Sequence, residues 1–300
     1  MTNISVLGTG LMGAPMAACL LAKGHAVTVW NRSPEKTALL AAAGAKVAAS
    51  PREAVTAAEV VITMLSDGPA VTDILFAQGI AEALKPGTIV IDMSSIPPAT
   101  ARDHATRLAA KGILHLDAPV SGGTKGAAAG TLAIMAGGAP ETFEKAKPVL
   151  EAMGRPMLIG PAGTGQVAKL ANQAIVGMTI AAVAEALLLA AANGADPAKV
   201  REALAGGFAD SAILKQHGQR MLERSWIPGA PVKMQVKDMR TIMAAAREAG
   251  LTLPVAERVT ALYEDLLSAG HGGLDHSSVL LELEHFNKGK RLGDKPDQMP

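Results

Sequence analysis

One lysine and one amide, three residues apart, are the side chains in this chain best placed to do chemistry. In GPAGTGQVAKLANQ, residues 160–173, Lys169 and Asn172 follow a glycine-rich turn and lead into a run of almost unbroken apolar residues. At i and i+3 of a helix they share one face. An ammonium there can stabilise negative charge growing on an oxygen and hand it a proton. The plain alternative is a solvated lysine, the common fate of this residue type. The position beside the glycine-rich turn favours the first reading.

Three other stretches offer complementary groups. GTGLMG, Gly8 to Gly13, has the G-x-G-x-x-G spacing directly after a short apolar run and at the start of a helical pattern. Gly8 permits a tight turn, Gly10 lets the backbone approach a pyrophosphate, and Gly13 lets helix pack on strand, with Leu11 and Met12 completing the loop. The helix start also offers unpaired N–H groups to phosphates. The next apolar run ends Val29-Trp30-Asn31-Arg32-Ser33, with no carboxylate before Glu35. An acid there would bind a ribose 2′-OH and repel a 2′-phosphate. Arg32 can pair with that phosphate, and Asn31 and Ser33 can donate to it, so NADP is expected ahead of NAD. NAD held through Asn31, with Arg32 solvated, is the competing reading.

DAPVSGGTKGAAAGTL, residues 117–132, places Ser121, Gly122 and Gly123 at the end of an apolar run. A hydroxyl followed by unobstructed backbone N–H groups suits a carboxylate; a flexible loop is the bland alternative. Lys237 and Asp238, in KMQVKDMRTIM, form a further charged pair, for which an exposed helix start is the competing reading. The seven histidines are scattered, His276 falls near an expected helix start, and Cys19 is the only cysteine. Neither a metal site nor an intrachain disulfide is expected.

The elements that must position these groups follow from periodicity. Asn3–Leu7, Ala26–Trp30, Val60–Met64, Thr88–Met93 and Ile113–Asp117 read as strands apolar on both faces, with Leu132–Ala136 and Met157–Ile159 as later additions. Helical segments at Leu11–Lys23, Pro34–Ala43, Val71–Leu75 and Pro98–Lys111 separate them. That alternation specifies an α/β domain, a Rossmann-like doubly wound parallel sheet, over residues 1–162. From residue 163 to 300 only helical patterns remain, at Val167–Ala192, Pro197–Ala205, Ala212–Arg224, Val236–Ala249, Pro254–Ser268 and Ser277–Asn287, and an all-α domain is expected. The closing KGKRLGDKPDQMP reads as frayed.

Bulk properties narrow the partners. Two domains suit 300 residues, 49% of them hydrophobic. A net charge of +1 and 2% aromatic residues give no basis for nucleic acid or an anionic membrane as partner. The N-terminal stretch lacks a basic segment followed by an apolar core, and the single cysteine suits a reducing compartment, so a cytoplasmic location is expected. Ala174–Ala192 carries one charge, Glu185, within 19 residues. A buried core or interface helix is favoured there over a membrane span.

GTGLMG, DMSSI (92–96), DAPVSGGTKGA (117–127), GTGQVAKLANQ (163–173) and VKD (236–238), in that order over nearly the full chain, resemble the β-hydroxyacid dehydrogenases. KLANQ, the turn Gly206–Ser211 and DHS (275–277) are most similar to the tartronate-semialdehyde-reducing branch of that family. The resemblance implies that Gly8, Gly10 and Gly13 hold the pyrophosphate, that Met64 and Leu65 line the path of the nicotinamide half, and that Ser95 bonds near its ribose. It implies Ser121, Gly122 and Gly123 for the substrate carboxylate, Lys169 as the catalytic lysine, Asn172 as its partner in orienting substrate, and Lys237 as a contact to cofactor or substrate. A dimer built partly on the first long helix, or a tetramer, is implied as well.

The implied activity is NADP(H)-linked reduction of a short aldehyde acid, foremost 2-hydroxy-3-oxopropionate to glycerate. A 3-hydroxyisobutyrate dehydrogenase, a glyoxylate or succinic semialdehyde reductase, and a threonate-type substrate are the alternatives, with Phe208, Ser211 and Met239 expected to set substrate size. Imine-reducing relatives usually replace the catalytic lysine, which is present here. A non-catalytic dinucleotide-binding protein would have little reason to keep Lys169 with Asn172, Ser121 and Gly122.

Overall fold

The doubly apolar runs of the first half assemble into one sheet. In the computed structural model, which describes Met1–Pro300, β1 (Asn3–Leu7), β2 (Ala26–Trp30), β3 (Lys46–Val47), β4 (Val60–Thr63), β5 (Ile89–Asp92) and β6 (Leu114–Asp117) are parallel, in the order β3-β2-β1-β4-β5-β6. The sheet then departs from the all-parallel expectation. β8 (Leu132–Gly138) runs antiparallel to β6 at one end and to β7 (Val120–Ser121) at the other, and β9 (Gly154–Gly160) pairs parallel with β8. β3 and β7 are two residues each, too short to leave a pattern. β9 lies at the edge and alternates in exposure, with Met157 and Ile159 on its more open face.

Both faces of the sheet are covered, as its strand composition demands. Ile4 and Val6 of β1 join Met16, Ala17 and Leu20 of the helix Gly13–Ala22 and Phe143, Val149 and Leu150 of the helix Pro140–Glu151. Leu7 joins the opposite layer with Val61 and Val90, under Val71 of Gly68–Thr72 and Ala101 and Leu108 of Pro98–Ala109. The chain clusters into two compact units, Met1–Lys169 and Leu170–Pro300. The boundary read from the sequence, 162/163, falls at the turn just before the helix Thr164–Ala192.

The second unit is helical: the remainder of that long helix, then Pro197–Ala203, Ala212–Glu223, Val232–Glu248, Pro254–Leu266 and Val279–Phe286. Its core holds Leu187, Trp226, Val236, Met239, Tyr263 and Leu280. By length and composition Thr164–Ala192 is the one helix apolar enough to cross a membrane. The helix expected from Val236 begins at Val232, after Pro231, so Lys237 and Asp238 lie in its second turn rather than at an exposed start.

The C-terminal segment corrects the frayed reading. Arg224, in a left-handed conformation (φ 52°) with its side chain 1% exposed, donates to Asp297 Oδ1 at 2.7 Å and to both oxygens of Glu284 at 2.7 and 2.9 Å. Trp226 Nε1 shares Asp297 Oδ1 at 2.7 Å, and the main chains of Arg224, Trp226 and Gln298 exchange hydrogen bonds. A buried guanidinium requires anionic partners. The tail supplies one of them, which its polar composition could not announce.

Candidate active site

The glycine loop forms as its spacing requires. Gly8 takes φ +103°, and a Cβ there would lie 2.3 Å from Met64 O; a Cβ at Gly13 would lie 1.9 Å from Gly8 O. Those two glycines are therefore demanded by packing between β1, the first helix and β4. At Gly10 a Cβ would meet no protein atom within 4 Å. Glycine there keeps the surface open for close approach, which fits a dinucleotide pyrophosphate at this loop. Leu11 is exposed and Met12 half-buried beside it.

A cleft of about 340 Å³ continues from the loop, lined by Gly8, Gly10, Trp30, Asn31, Arg32, Ser33, Lys36, Met64, Leu65 and Asp73, among others. Asn31 braces the loop: Oδ1 accepts from Thr9 N at 3.0 Å, and Nδ2 donates to Ser33 O at 3.0 Å. The second cation, Lys36, was not singled out in the sequence. It sits on the 3-10 turn Pro34–Thr37, and nothing in its spacing marked it in the sequence. Two larger clefts, near Asp265–Phe286 and near Ala105–Ala162, carry no glycine loop.

Leu65 N donates to Ser94 Oγ at 2.9 Å, which ties the segment after β4 to the segment after β5, where Ser95 is half-buried. Ser121 ends β7, half-buried, and Gly122 and Gly123 follow with φ of +137° and +61°. Two successive left-handed glycines leave exposed backbone amides beside the hydroxyl, a cradle suited to an anion.

Lys169 and Asn172 both lie on the long helix and both are half-buried. Within the second unit Asn172 Nδ2 donates to Gln173 Oε1 at 2.8 Å, Gln173 Nε2 donates to Asp238 Oδ2 at 2.6 Å, and Asp238 Oδ1 lies 3.3 Å from Lys237 Nζ. Asn172 and Lys237, far apart in sequence, therefore belong to one polar chain. Gln173, its middle member, had not stood out: an amide beside another amide is an ordinary helix surface in a sequence.

The three residues expected to set substrate size have different surroundings. Ser211 Oγ caps the helix Ala212–Glu223 by accepting from Leu214 N at 2.9 Å. Met239 is buried against Gly177, and Phe208 is fully exposed. Two of the scattered histidines do converge: ligand atoms of His217, Asp275 and His276 lie within 4.8 Å of one another. Asp275 Oδ2 accepts from Gly229 N and Ala230 N, Oδ1 accepts from Ser277 N and Oγ, and the Arg220 guanidinium stands 3.8 Å away. Burial pushes this carboxyl up, but His217, His276 and Ser277 outweigh it and hold it well below the usual range. The carboxylate's lone pairs are engaged by the protein and a cation already faces it, so the chemistry is that of an ion-pair network.

Two family models match the chain: the NAD binding domain of 6-phosphogluconate dehydrogenase over residues 3–186, and the NAD-binding domain of NADP-dependent 3-hydroxyisobutyrate dehydrogenase over residues 163–283. A 2-hydroxy-3-oxopropionate reductase of Escherichia coli is 40% identical over 94% of this chain and 97% of its own. Among solved structures, a Mycobacterium tuberculosis 3-hydroxyisobutyrate dehydrogenase with L-serine superposes with a TM-score of 0.86 at 35% identity, covering 94% of this chain and 99% of that one. Psf3 in complex with NADP+ and 2-OPP superposes with a TM-score of 0.84 at 25% identity, covering 93% and 99%.

Proposed function

We propose, for a chain that belongs to the 3-hydroxyisobutyrate dehydrogenase-like family of NAD(P)-dependent β-hydroxyacid dehydrogenases, that it reduces 2-hydroxy-3-oxopropionate to glycerate with NADPH. The observation that carries the substrate choice is the 40% identity to a 2-hydroxy-3-oxopropionate reductase over 94% of the chain. Oxidation of a 3-hydroxy acid such as 3-hydroxyisobutyrate is the second reading, supported by the full-length superposition on a 3-hydroxyisobutyrate dehydrogenase.

The bound nicotinamide supplies the hydride. In the proposed reaction the Ser121 hydroxyl and the Gly122 and Gly123 amides hold the substrate carboxylate, and Asn172 orients the carbonyl. The Lys169 ammonium stabilises the charge that grows on the aldehyde oxygen and donates the proton to it. In the oxidative direction neutral Lys169 takes the hydroxyl proton, so oxidation gains with rising pH.

The preference for NADPH rests on charge. β2 ends without a carboxylate, and Arg32, Ser33 and Lys36 line the cleft beyond Gly10. Two cations and a hydroxyl suit a 2′-phosphate better than a free 2′-OH. Assembly as a homodimer or homotetramer in the cytoplasm belongs to the same reading, with Ile175 and Leu189 of the long helix exposed as contacts.

The test follows dihydronicotinamide absorbance with NADPH, then NADH, across tartronate semialdehyde, glyoxylate, succinic semialdehyde and methylmalonate semialdehyde. Highest kcat/KM on the first with NADPH is the expected result. Preference for methylmalonate semialdehyde moves the assignment to the second reading, and NADPH binding without turnover on any aldehyde overturns the catalytic one.

A further inference from the structure

The first turn of the long helix is capped from a distant strand. Asp117, at the end of β6, accepts from Gly163 N at 2.6 Å through Oδ1 and from Gln166 N at 2.9 Å through Oδ2. The leading amides of a helix have no partner within it, and a carboxylate in front of them satisfies both the hydrogen bonds and the helix dipole. The fit is close. A Cβ at Gly165 would lie 2.4 Å from Asp117 O and 2.3 Å from Met135 O, and one at Gly137 would lie 2.7 Å from Asp117 Oδ1. The turn has little freedom to slide along β6 and β8.

Gln166 carries the clamp to a second place. Its side chain is buried; Oε1 accepts from Ile96 N at 3.1 Å, and Nε2 donates to Ser94 O at 2.8 Å. Those two main-chain groups flank Ser95. A single amide therefore brackets Ser95, while the main-chain nitrogen of the same residue is fixed on Asp117. Lys169 follows three positions later on the same face of the helix. All of these residues belong to the first unit.

We infer that Gln166, anchored by Asp117, is a positioning residue that sets Lys169 relative to Ser95. The inference rests on the proposed role of Lys169 as proton donor. A cap alone needs only the carboxylate. The Gln166 side chain adds nothing to the cap, because both of its polar groups are directed at the backbone around Ser95. Misplacing a reacting group by about 1 Å can cost on the order of 100-fold in rate.

Gln166→Met keeps the length of the side chain and removes both amide hydrogen bonds. With tartronate semialdehyde and NADPH, kcat is expected to fall at least about 10-fold. The dissociation constant of NADPH, measured by fluorescence, stays within about twofold, and the high-pH limb of kcat moves with the altered surroundings of the donor. A purely structural role would lower the melting temperature and leave both kcat per folded molecule and the pH profile in place. Should this variant not melt cooperatively, Asp117→Asn, which keeps one acceptor, is read in the same way. A folded variant with parental kcat and pH profile overturns the inference. Lys169→Ala, assayed alongside, separates the two failures: if it retains turnover, the proton-donor reading falls and takes this one with it. If it is inactive while Gln166→Met is parental, only the positioning role is lost.

Discussion

Asp92 and Asp117 are in-register partners on β5 and β6, and neither exposes any surface. Asp92 Oδ1 accepts from Thr63 Oγ1 at 2.7 Å and Ser94 N at 3.0 Å, while its Oδ2 has no partner. Burial pushes Asp92 up to about 6 against those two hydrogen bonds. Burial likewise pushes Asp117 up to about 6 against the Gly163 and Gln166 amides, and the neighbouring Asp92 adds to the rise.

A stability slope follows from that pair. Between about pH 4 and about pH 6 the folded chain holds protons that the unfolded chain has released. The native state binds more protons there, so these groups make stability fall as pH rises through the window. Asp92→Asn removes one of the two titrations. Urea unfolding should show the variant gaining on the parent by on the order of 2–3 kcal/mol from the acid side of the window to neutrality. Parallel curves would place the Asp92 carboxyl at its ordinary value.

For the lysine, Lys169→Ala is expected to lower kcat by about 10²–10⁴-fold. NADPH affinity should remain near parental, because the glycine loop and the Arg32 cleft lie elsewhere in the first unit. Stopped-flow turnover and direct cofactor titration read the two quantities separately. A variant with kcat within tenfold of the parent would assign the proton to another group.

Cofactor choice has its own signature. Arg32→Ala and Lys36→Ala should each weaken NADPH by about 10- to 100-fold, the range of a lost charge-assisted bond, and leave NADH almost unchanged. Measured KM values for both cofactors decide it. Equal losses for NADH and NADPH would mean that these cations do not read the 2′-phosphate.

The tail prediction concerns folding alone. Arg224→Met leaves Glu284 and Asp297 without their buried cation and should cost about 1.5–3 kcal/mol, seen as a lower midpoint in thermal melts. kcat of the folded fraction should stay parental. An unchanged midpoint would mean that the tail contributes nothing through this network.

Much of the first unit was legible because parallel strands buried on both faces leave continuous β-branched runs, and because Gly8 and Gly13 are required by contacts that any sequence with this loop must satisfy. The antiparallel β8 was legible as a strand but not as a direction, since an apolar run carries no sign of its pairing. Lys169 and Asn172 announced themselves by spacing and by a charge out of place. Asp117 and Gln166 did not: one reads as the end of a strand and the other as a neutral helix residue, and what joins them is a contact between segments 49 positions apart. The chain Asn172–Gln173–Asp238–Lys237 was hidden for the same reason. Arg224 and Asp297 looked like solvent-facing charges, and only the fold shows that Arg224 is buried with Asp297 as one of its partners.

The long helix opens within the first unit, and this bears on how such proteins exchange parts. Recombination between relatives just after position 169 would transmit β6, Asp117, Gln166 and Lys169 together from one parent, and Asn172, Gln173, Lys237 and Asp238 together from the other. A crossover at 162/163 would instead pair an Asp117 with helix amides it had never capped. Chimeras joined after Lys169 should therefore express and fold more often than those joined before the helix, although the earlier junction is the one that composition suggests.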